Sequence, residues 1–285
     1  MTQQPSLITI QGSARGGKGT LTKALTRDLS SEYRIYTIDQ GLKFRVMAAL
    51  ALEAGVDKED LAALTAFITQ KETHRRVVDA LLEAAQLDKP AYEARYYTQA
   101  ISNASGMVGK LSAAHEIVGE LLYEEVAQLV ESSPEIDLII VDGRTLQDYG
   151  RELEARGLVR YLLAIDVHCD AFVSAQRETK IFSPEDNELD SYTREQAIQL
   201  LVATRDIARR NTSDARRRTL PSLPIRGAYD FDVLRPLPDG KKDMVYEEIR
   251  ANGAVTIDNS NTKTIKSLTD PVVELVRYLV VGPTQ

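Results

Sequence analysis

Gly12-Ser13-Ala14-Arg15-Gly16-Gly17-Lys18-Gly19-Thr20 follows a short apolar run, Leu7-Ile8-Thr9-Ile10. It leads into a segment whose apolar residues Leu21, Ala24, Leu25 and Leu29 recur at helical spacing. Strand, glycine-rich turn and helix in that order distinguish a loop that cradles phosphate from one that only turns the chain. Four glycines let the backbone turn tightly and bring several N–H groups onto one anion. A helix beginning near Lys18 adds its unpaired N–H groups and the positive end of its dipole. Lys18 supplies a mobile positive charge for a transferring phosphoryl group. The stretch from Gly12 to Thr20, including Arg15, Gly16, Gly17 and Gly19, is expected to be a phosphate-binding loop.

The apolar pattern beyond the loop extends this to an α/β fold. Residues 33–38 read as a second strand closing at Asp39, and residues 41–54 as a helix stopped by Gly55. That places the first turn of the helix at the carboxyl edge of a parallel sheet, where ligands of such sheets bind, with Arg45 one turn in. Residues 56–132 show helical spacing and no strand signal, too long for a simple crossover. They are expected to be an inserted, mobile helical subdomain with a break at Asp88-Lys89-Pro90. The core is then 1–55 with 133–285.

Asp137-Leu138-Ile139-Ile140-Val141-Asp142 reads as a buried strand ending in an acid and followed by Gly143-Arg144. An apolar strand with a terminal Asp is the second half of the phosphate-loop pattern, its carboxylate orienting magnesium or its waters. Residues 160–166 give another strand ending in Asp166. The polar stretch 177–194, broken by Ser183-Pro184, is expected to be a short lid bearing Arg177 and Lys180. Residues 194–218 return to helix, with Ile198, Leu201 and Val202 as its apolar side. That helix ends in six arginines, of which Arg210 and Arg217 flank Asp214 at spacing i, i+4, i+7. A solvated ladder of ion pairs and an anion-binding face are both open for it. Residues 227–253 read as either a hairpin or a partly ordered excursion. The segment 254–258 is the last of five expected strands, and Asp270-Pro271 the start of a closing helix.

Composition narrows the class. A net charge of -7 over 285 residues argues against a general nucleic-acid binder. The lone Cys169 excludes an intrachain disulfide and fits a reducing compartment. No apolar run approaches the ~20 residues of a membrane helix, and the first residues lack the pattern of a signal peptide. The expectation is a cytoplasmic, monomeric protein acting on small-molecule substrates, with neither nucleic acid nor membrane as partner.

Taken together, the motifs resemble the cytidylate kinase family. Gly-Lys-Gly-Thr, with Gly19 before Thr20, is similar to nucleoside monophosphate kinases, which hold magnesium largely through water. Asp39-Gln40-Gly41-Leu42-Lys43-Phe44-Arg45 resembles the family's Asp-Ser-Gly-Ala-Met-Tyr-Arg, and residues 98–104 faintly resemble its insertion. Asp142-Gly143-Arg144 resembles its Asp-Gly-Arg. Arg210, Asp214, Arg217 and Pro221 resemble its Arg-x3-Asp-x2-Arg-x3-Pro, and Thr256-Ile257-Asp258-Asn259-Ser260 its last strand and turn.

The resemblance implies a P-loop kinase that moves the γ-phosphoryl of ATP onto a pyrimidine nucleoside monophosphate, CMP or dCMP first, with Mg2+ as cofactor. It implies that Lys18, Thr20 and the loop amides hold the ATP phosphates, with Thr20 and Asp142 at the magnesium. Arg45 would hold the acceptor phosphate, Arg144 and Arg217 the base, and Arg210 with Asp214 the sugar. Gln40 would face the acceptor, and Arg177 or Lys180 would complete the transition-state charge. The chain departs from the family pattern at Arg15 (Gly), Gln40 (Ser), Phe44 (Tyr) and Thr145 (Asp). Another P-loop small-molecule kinase, for a nucleoside or a shikimate-like alcohol, is one alternative, and a non-catalytic nucleotide-binding regulator is another. The chemistry itself needs only charge neutralisation and in-line positioning.

Overall fold

A computed structural model describes residues 4–182, 192–216, 225, 227–237, 240–262 and 264–281. The chain divides into two compact units, Met1–Ile38 with Glu135–Gln285, and Asp39–Pro134.

The first unit is built on a sheet of β1 (Ser6–Gly12), β2 (Ile35–Asp39), β3 (Leu138–Asp142), β4 (Arg160–His168), β5 (Tyr229–Asp230) and β6 (Ala254–Asp258). Their spatial order is β2-β3-β1-β4-β6-β5, and the pairs β1–β3, β1–β4, β4–β6 and β5–β6 are parallel. All seven residues of β1 are buried, as a central parallel strand covered on both faces requires. Ile10 lies in register with Asp142 on one side and Ile165 on the other. The acid ending β3 therefore stands two residues short of Gly12, where β1 runs into the loop.

The helix α1 (Lys18–Leu29) buries Leu21, Leu25 and Leu29 against Ile8, Ile10, Leu138 and Ile140. Each such side chain contributes roughly 1.5–3 kcal/mol on leaving water, so the helix that starts at the loop is anchored along its length. The helix α12 (Ile265–Val281) joins the same core through Leu268, Val272, Leu275, Val276 and Leu279. It begins before the expected Asp270-Pro271. The pair Thr264 and Ser267 caps it, each side-chain oxygen accepting from the other's backbone N–H at 3.1–3.2 Å, and Pro271 falls inside the helix.

The sheet has six strands rather than five. The extra one, β5, comes from the stretch 227–253, left open between a hairpin and an excursion. It pairs in parallel with β6, and a parallel neighbour needs a crossover; the helix α11 (Lys242–Asn252) supplies it. Phe231, Val233, Tyr246 and Ile249 bury into the main core and hold this addition in place. A strand of two residues is too short to show alternation in sequence.

Of the remaining helices in this unit, α8 (Gln147–Ala155) follows β3, and α9 (Ala171–Thr179) and α10 (Arg194–Ala215) flank the loop. A reciprocal Thr193–Gln196 box caps α10. The side chains expected as its apolar side, Ile198, Leu201 and Val202, are exposed. Leu200 and Ile207 are buried instead, with Ala197 and Ala203, against Ala14 and Ala175.

The second unit is all helical: α2 (Gln40–Glu53), α3 (Leu61–Ile68), α4 (Lys71–Ala84), α5 (Lys89–Tyr96), α6 (Gln99–Val108) and α7 (Ser112–Ser132). Asp39, Asp60, Asp88 and Thr98 cap α2, α3, α5 and α6 through side-chain oxygens. Val46, Met47 and Leu50 of α2 share one core with Leu64, Ile68, Val77, Val108 and Val118. The division at Asp39 therefore takes α2 into the helical unit, where the sequence reading began that unit at 56.

Candidate active site

In the loop, Gly12 has φ 139° and Gly17 φ 104°. A Cβ on Gly12 would lie 2.1 Å from the carbonyl oxygen of Val167, and one on Gly17 2.5 Å from Asn259 Nδ2. Only glycine fits at both places. Lys18 Nζ folds back to donate to the carbonyls of Gly12 at 3.2 Å and Ser13 at 2.9 Å. Burial pushes the Lys18 ammonium down to about 8; Asp142 opposes that shift, Arg144 adds to it, and Asp214 and Asp166 oppose it. Gly19 and Thr20 lie exposed on the first turn of α1.

Arg15 takes φ 60°, a left-handed conformation that glycine adopts without cost. Its guanidinium reaches out to Glu178 of α9 at 3.0 Å. Two side chains outside the loop hold the loop backbone. Asn211 Oδ1 on α10 accepts from Ala14 N at 2.8 Å, and Asn259 Nδ2 after β6 donates to Gly16 O at 2.7 Å. Asn211 was not singled out in sequence, because a lone Asn carries no pattern, and Asn259 entered only within the resemblance of residues 256–260.

At the ends of the strands, Thr22 Oγ1 lies 3.3 Å from Asp142 Oδ2 and 3.1 Å from Lys18 O. Thr22 is a further missed residue, one helical turn beyond Lys18 on the same face of α1. Arg144, two residues after Asp142, pairs with the buried Asp214 of α10. The turn that follows Arg144 is strained: Thr145, fully buried and β-branched, has φ 53°. Gln11 Oε1 secures it by accepting from Leu146 N at 2.7 Å.

Asp142, Arg144 and Asp214 thus come together around Lys18. Arg210 does not join them: it is exposed on α10 and makes no ion pair among the described residues. Arg217 lies outside the described residues, as does the stretch 183–191 of the expected lid. Arg177 lies in the last turn of α9, where its guanidinium donates to Asn259 O at 2.8 Å and Thr262 O at 3.4 Å.

In the helical unit, Gln40 opens α2 and is buried. Arg45 Nη1 donates to Ser102 Oγ at 3.1 Å and Tyr96 O at 3.3 Å, and its Cζ stands 4.2 Å from the centroid of the Tyr97 ring. Lys43 is buried with its Nζ on Glu125 Oε2 at 2.6 Å.

Glycines required by geometry, a lysine turned inward, an acid at the neighbouring strand end and a helix-borne ion pair together suit a phosphoryl-transfer centre. A family model for cytidylate kinase matches residues 8–233. The chain belongs to the cytidylate kinase family. A cytidylate kinase of Bacillus licheniformis is 26% identical over 79% of this chain and 88% of its own. One of Nitrobacter winogradskyi is 29% identical over 80% of this chain and 86% of its own. Membership makes the chain a phosphotransferase and supports a nucleoside monophosphate kinase activity. No helix among the described residues is long and apolar enough to cross a membrane.

Two of the departures from the cytidylate kinase pattern fall at left-handed backbone positions. Arg15 and Thr145, where the family has Gly and Asp, both hold positive φ. A third, Phe44 for Tyr, packs its ring 4.9 Å from that of His115. The family match ends at residue 233, ahead of α11 and β6.

Proposed function

We propose that this enzyme transfers the γ-phosphoryl group of ATP to a pyrimidine nucleoside monophosphate, CMP or dCMP foremost, releasing ADP and the nucleoside diphosphate. The observation that carries this reading is Lys18, turned into a glycine-built loop with Asp142, Arg144 and Asp214 acting on its charge. On ATP binding Lys18 would exchange the Gly12 and Ser13 carbonyls for phosphate oxygens, and the amides of Gly16 to Thr20 would follow the triphosphate. Phosphoryl transfer asks for this kind of charge neutralisation and alignment, and for no covalent nucleophile.

Magnesium fits the residues present. Asp142 keeps a carboxylate beside Thr22 at the start of α1, and Thr20 is exposed two residues earlier in that helix. Among the described residues no three His, Cys, Asp or Glu side chains gather into a metal cage. Mg2+ characteristically binds through one or two protein oxygens, waters and the substrate's own phosphates. Its chemistry here would be to neutralise charge on the β- and γ-phosphates, oriented by Asp142 and Thr20.

For the acceptor, Arg45 is proposed to hold the phosphate, Arg144 and Arg217 the base, and Asp214 with Arg210 the sugar. Since Asp214 already pairs with Arg144, base and sugar recognition would be coupled through that pair. Arg177 or Lys180 is proposed to add positive charge in the transition state, an effect that can reach ~10³-fold in rate for one arginine. The test is ADP release from ATP across all ribo- and deoxyribonucleoside monophosphates. Turnover confined to purine monophosphates, or to acceptors that are not nucleotides, would overturn the reading.

A further inference from the structure

Arg45 is fixed from several directions by residues of its own helical unit. Its Nη1 is committed to Tyr96 O and Ser102 Oγ. Its guanidinium lies over the Tyr97 ring, 4.2 Å from the centroid. Nη2 and Nε take no partner among the described residues. The guanidinium is thus held by one nitrogen and one flat face, with the Nη2–Nε edge left over. That edge is the fork that meets two oxygens of a phosphate or carboxylate side by side.

The Tyr97 ring is itself located by more than Arg45. Its hydroxyl donates to Asp39 Oδ2 at 2.9 Å, and the other oxygen of that carboxylate caps α2 by accepting from Leu42 N at 3.2 Å. Tyr97 is the C-cap of α5, immediately before the Thr98 cap of α6, and its ring centroid is 5.5 Å from that of Tyr92. The phenol therefore bridges the α5–α6 junction and the start of the helix that carries Arg45. Burial and the Asp39 charge together hold the phenol well above its usual pKa, so it stays a donor. A ring that served only to fill space would have no need of its hydroxyl. Tyr97 also keeps 43% of its surface exposed, more than a core residue would.

We propose that Tyr97 is a positioning residue for the acceptor phosphate: its ring and its bond to Asp39 hold Arg45 with the Nη2–Nε edge presented for a bidentate oxyanion. This rests on the assignment of Arg45 to the acceptor. A long arginine otherwise loses rotamer freedom each time it binds, and ordering it in advance removes that cost from binding. The face of an aromatic ring is a favourable support for a guanidinium.

The experiment compares Tyr97→Leu, Tyr97→Phe, Arg45→Ala and the double variant Arg45→Ala/Tyr97→Leu, with CMP as the acceptor probe and ATP as donor. Tyr97→Leu is expected to raise KM for CMP about tenfold with KM for ATP unchanged within twofold. Tyr97→Phe keeps the ring and should recover most of that loss. In the Arg45→Ala background Tyr97→Leu should add nothing, because it acts through Arg45. Additive losses in the double variant, an equal rise in both KM values, or a CMP KM within twofold of wild type for Tyr97→Leu would each overturn the proposal. An Arg45→Ala enzyme with unchanged KM for CMP would instead overturn the assignment of Arg45 beneath it. Thermal unfolding of each variant separates a folding defect, which would lower Tm without splitting the two KM values.

Discussion

Asp214, with 1% of its side chain exposed, faces the guanidinium of Arg144, which keeps 31%. One residue comes from α10 and the other from the turn after β3, so the pair ties the arginine-rich helix to the strand end that bears Asp142. Of the two readings open for α10, the solvated ladder does not hold at Asp214, a buried carboxylate paired across elements.

Replacing Asp214 by Asn removes the charge and keeps the shape. Stripping one partner from a fully buried pair costs roughly 3–5 kcal/mol, but Arg144 can regain water, so about 2 kcal/mol is expected here. If the pair also serves the acceptor, KM for CMP should rise at least tenfold while KM for ATP stays near wild type. Calorimetric unfolding and both KM values decide it: a lowered Tm with unchanged kinetics would make the pair purely structural.

Lys18→Ala should abolish turnover and leave the fold intact, since no other lysine stands in the loop. The lowered pKa adds a pH dependence. With its pKa near 8, the ammonium is charged below pH 8 and progressively neutral above it. ATP affinity is therefore expected to fall as pH rises through about 8, and binding should take up a proton there. For stability the sign is opposite: a charge held less readily in the fold than in the unfolded chain is a penalty below pH 8. That penalty is relieved between pH 8 and about 10.4. Calorimetric titration of ATP at pH 7, 8 and 9, in buffers of differing ionisation heat, checks the uptake. An affinity flat across that range in wild type, or falling equally in Lys18→Ala, would rule out Lys18 as its origin.

Asp166 on β4 is 2% exposed and accepts from Ile225 N at 3.0 Å. Burial raises its pKa, with the Ile225 bond opposing. Its ionised form is thus disfavoured in the fold, a penalty present above the raised pKa and relieved as pH falls. Asp166→Asn keeps an acceptor for Ile225 and discards the buried charge, so stability at pH 7 should be unchanged or higher. Asp166→Ala leaves the N–H orphaned and should cost about 1–3 kcal/mol. Chemical denaturation of both variants tests the contrast, and an Asn variant as unstable as the Ala variant would contradict it.

The loop and the strand ending in Asp142 were legible because they combine composition with position: glycines where φ is positive, apolar runs, an acid at a strand end. The roles around them were less so. Gly17 could be read from its neighbours, but Asn259 and Asn211, which hold Gly16 and Ala14, come from 243 and 197 residues away. A single amide at such a distance leaves no periodic trace. Ile198, Leu201 and Val202 misled for the converse reason: α10 carries large apolar residues on more than one side, and the side that buries Leu200 and Ile207 also holds Ala197 and Ala203, which a hydrophobicity pattern underweights. The two-residue β5 fell below the length at which a period of two can be counted.

The last expectation concerns Gln40, the first residue of α2, buried beside its Asp39 cap. In the cytidylate kinase pattern a serine stands here, and a small hydroxyl at this place helps read the cytosine edge. Glutamine reaches about two bonds further and offers both an acceptor and a two-hydrogen donor on one amide. By rotating, that amide can satisfy either polarity of base edge, so discrimination from this position should weaken. A mismatch that leaves a buried polar group unpaired costs roughly 1–3 kcal/mol, about 5- to 150-fold in relative specificity. Relief of it would bring a competing base from disfavoured to usable. The wild-type enzyme is therefore expected to prefer CMP over UMP only modestly, and Gln40→Ser to widen that preference several-fold, chiefly by lowering kcat/KM for UMP. The measurement is kcat/KM for CMP, dCMP and UMP in both proteins. Strict selectivity for CMP in the wild type, unchanged in Gln40→Ser, would show that the base is read elsewhere, with Arg144 the next residue to test.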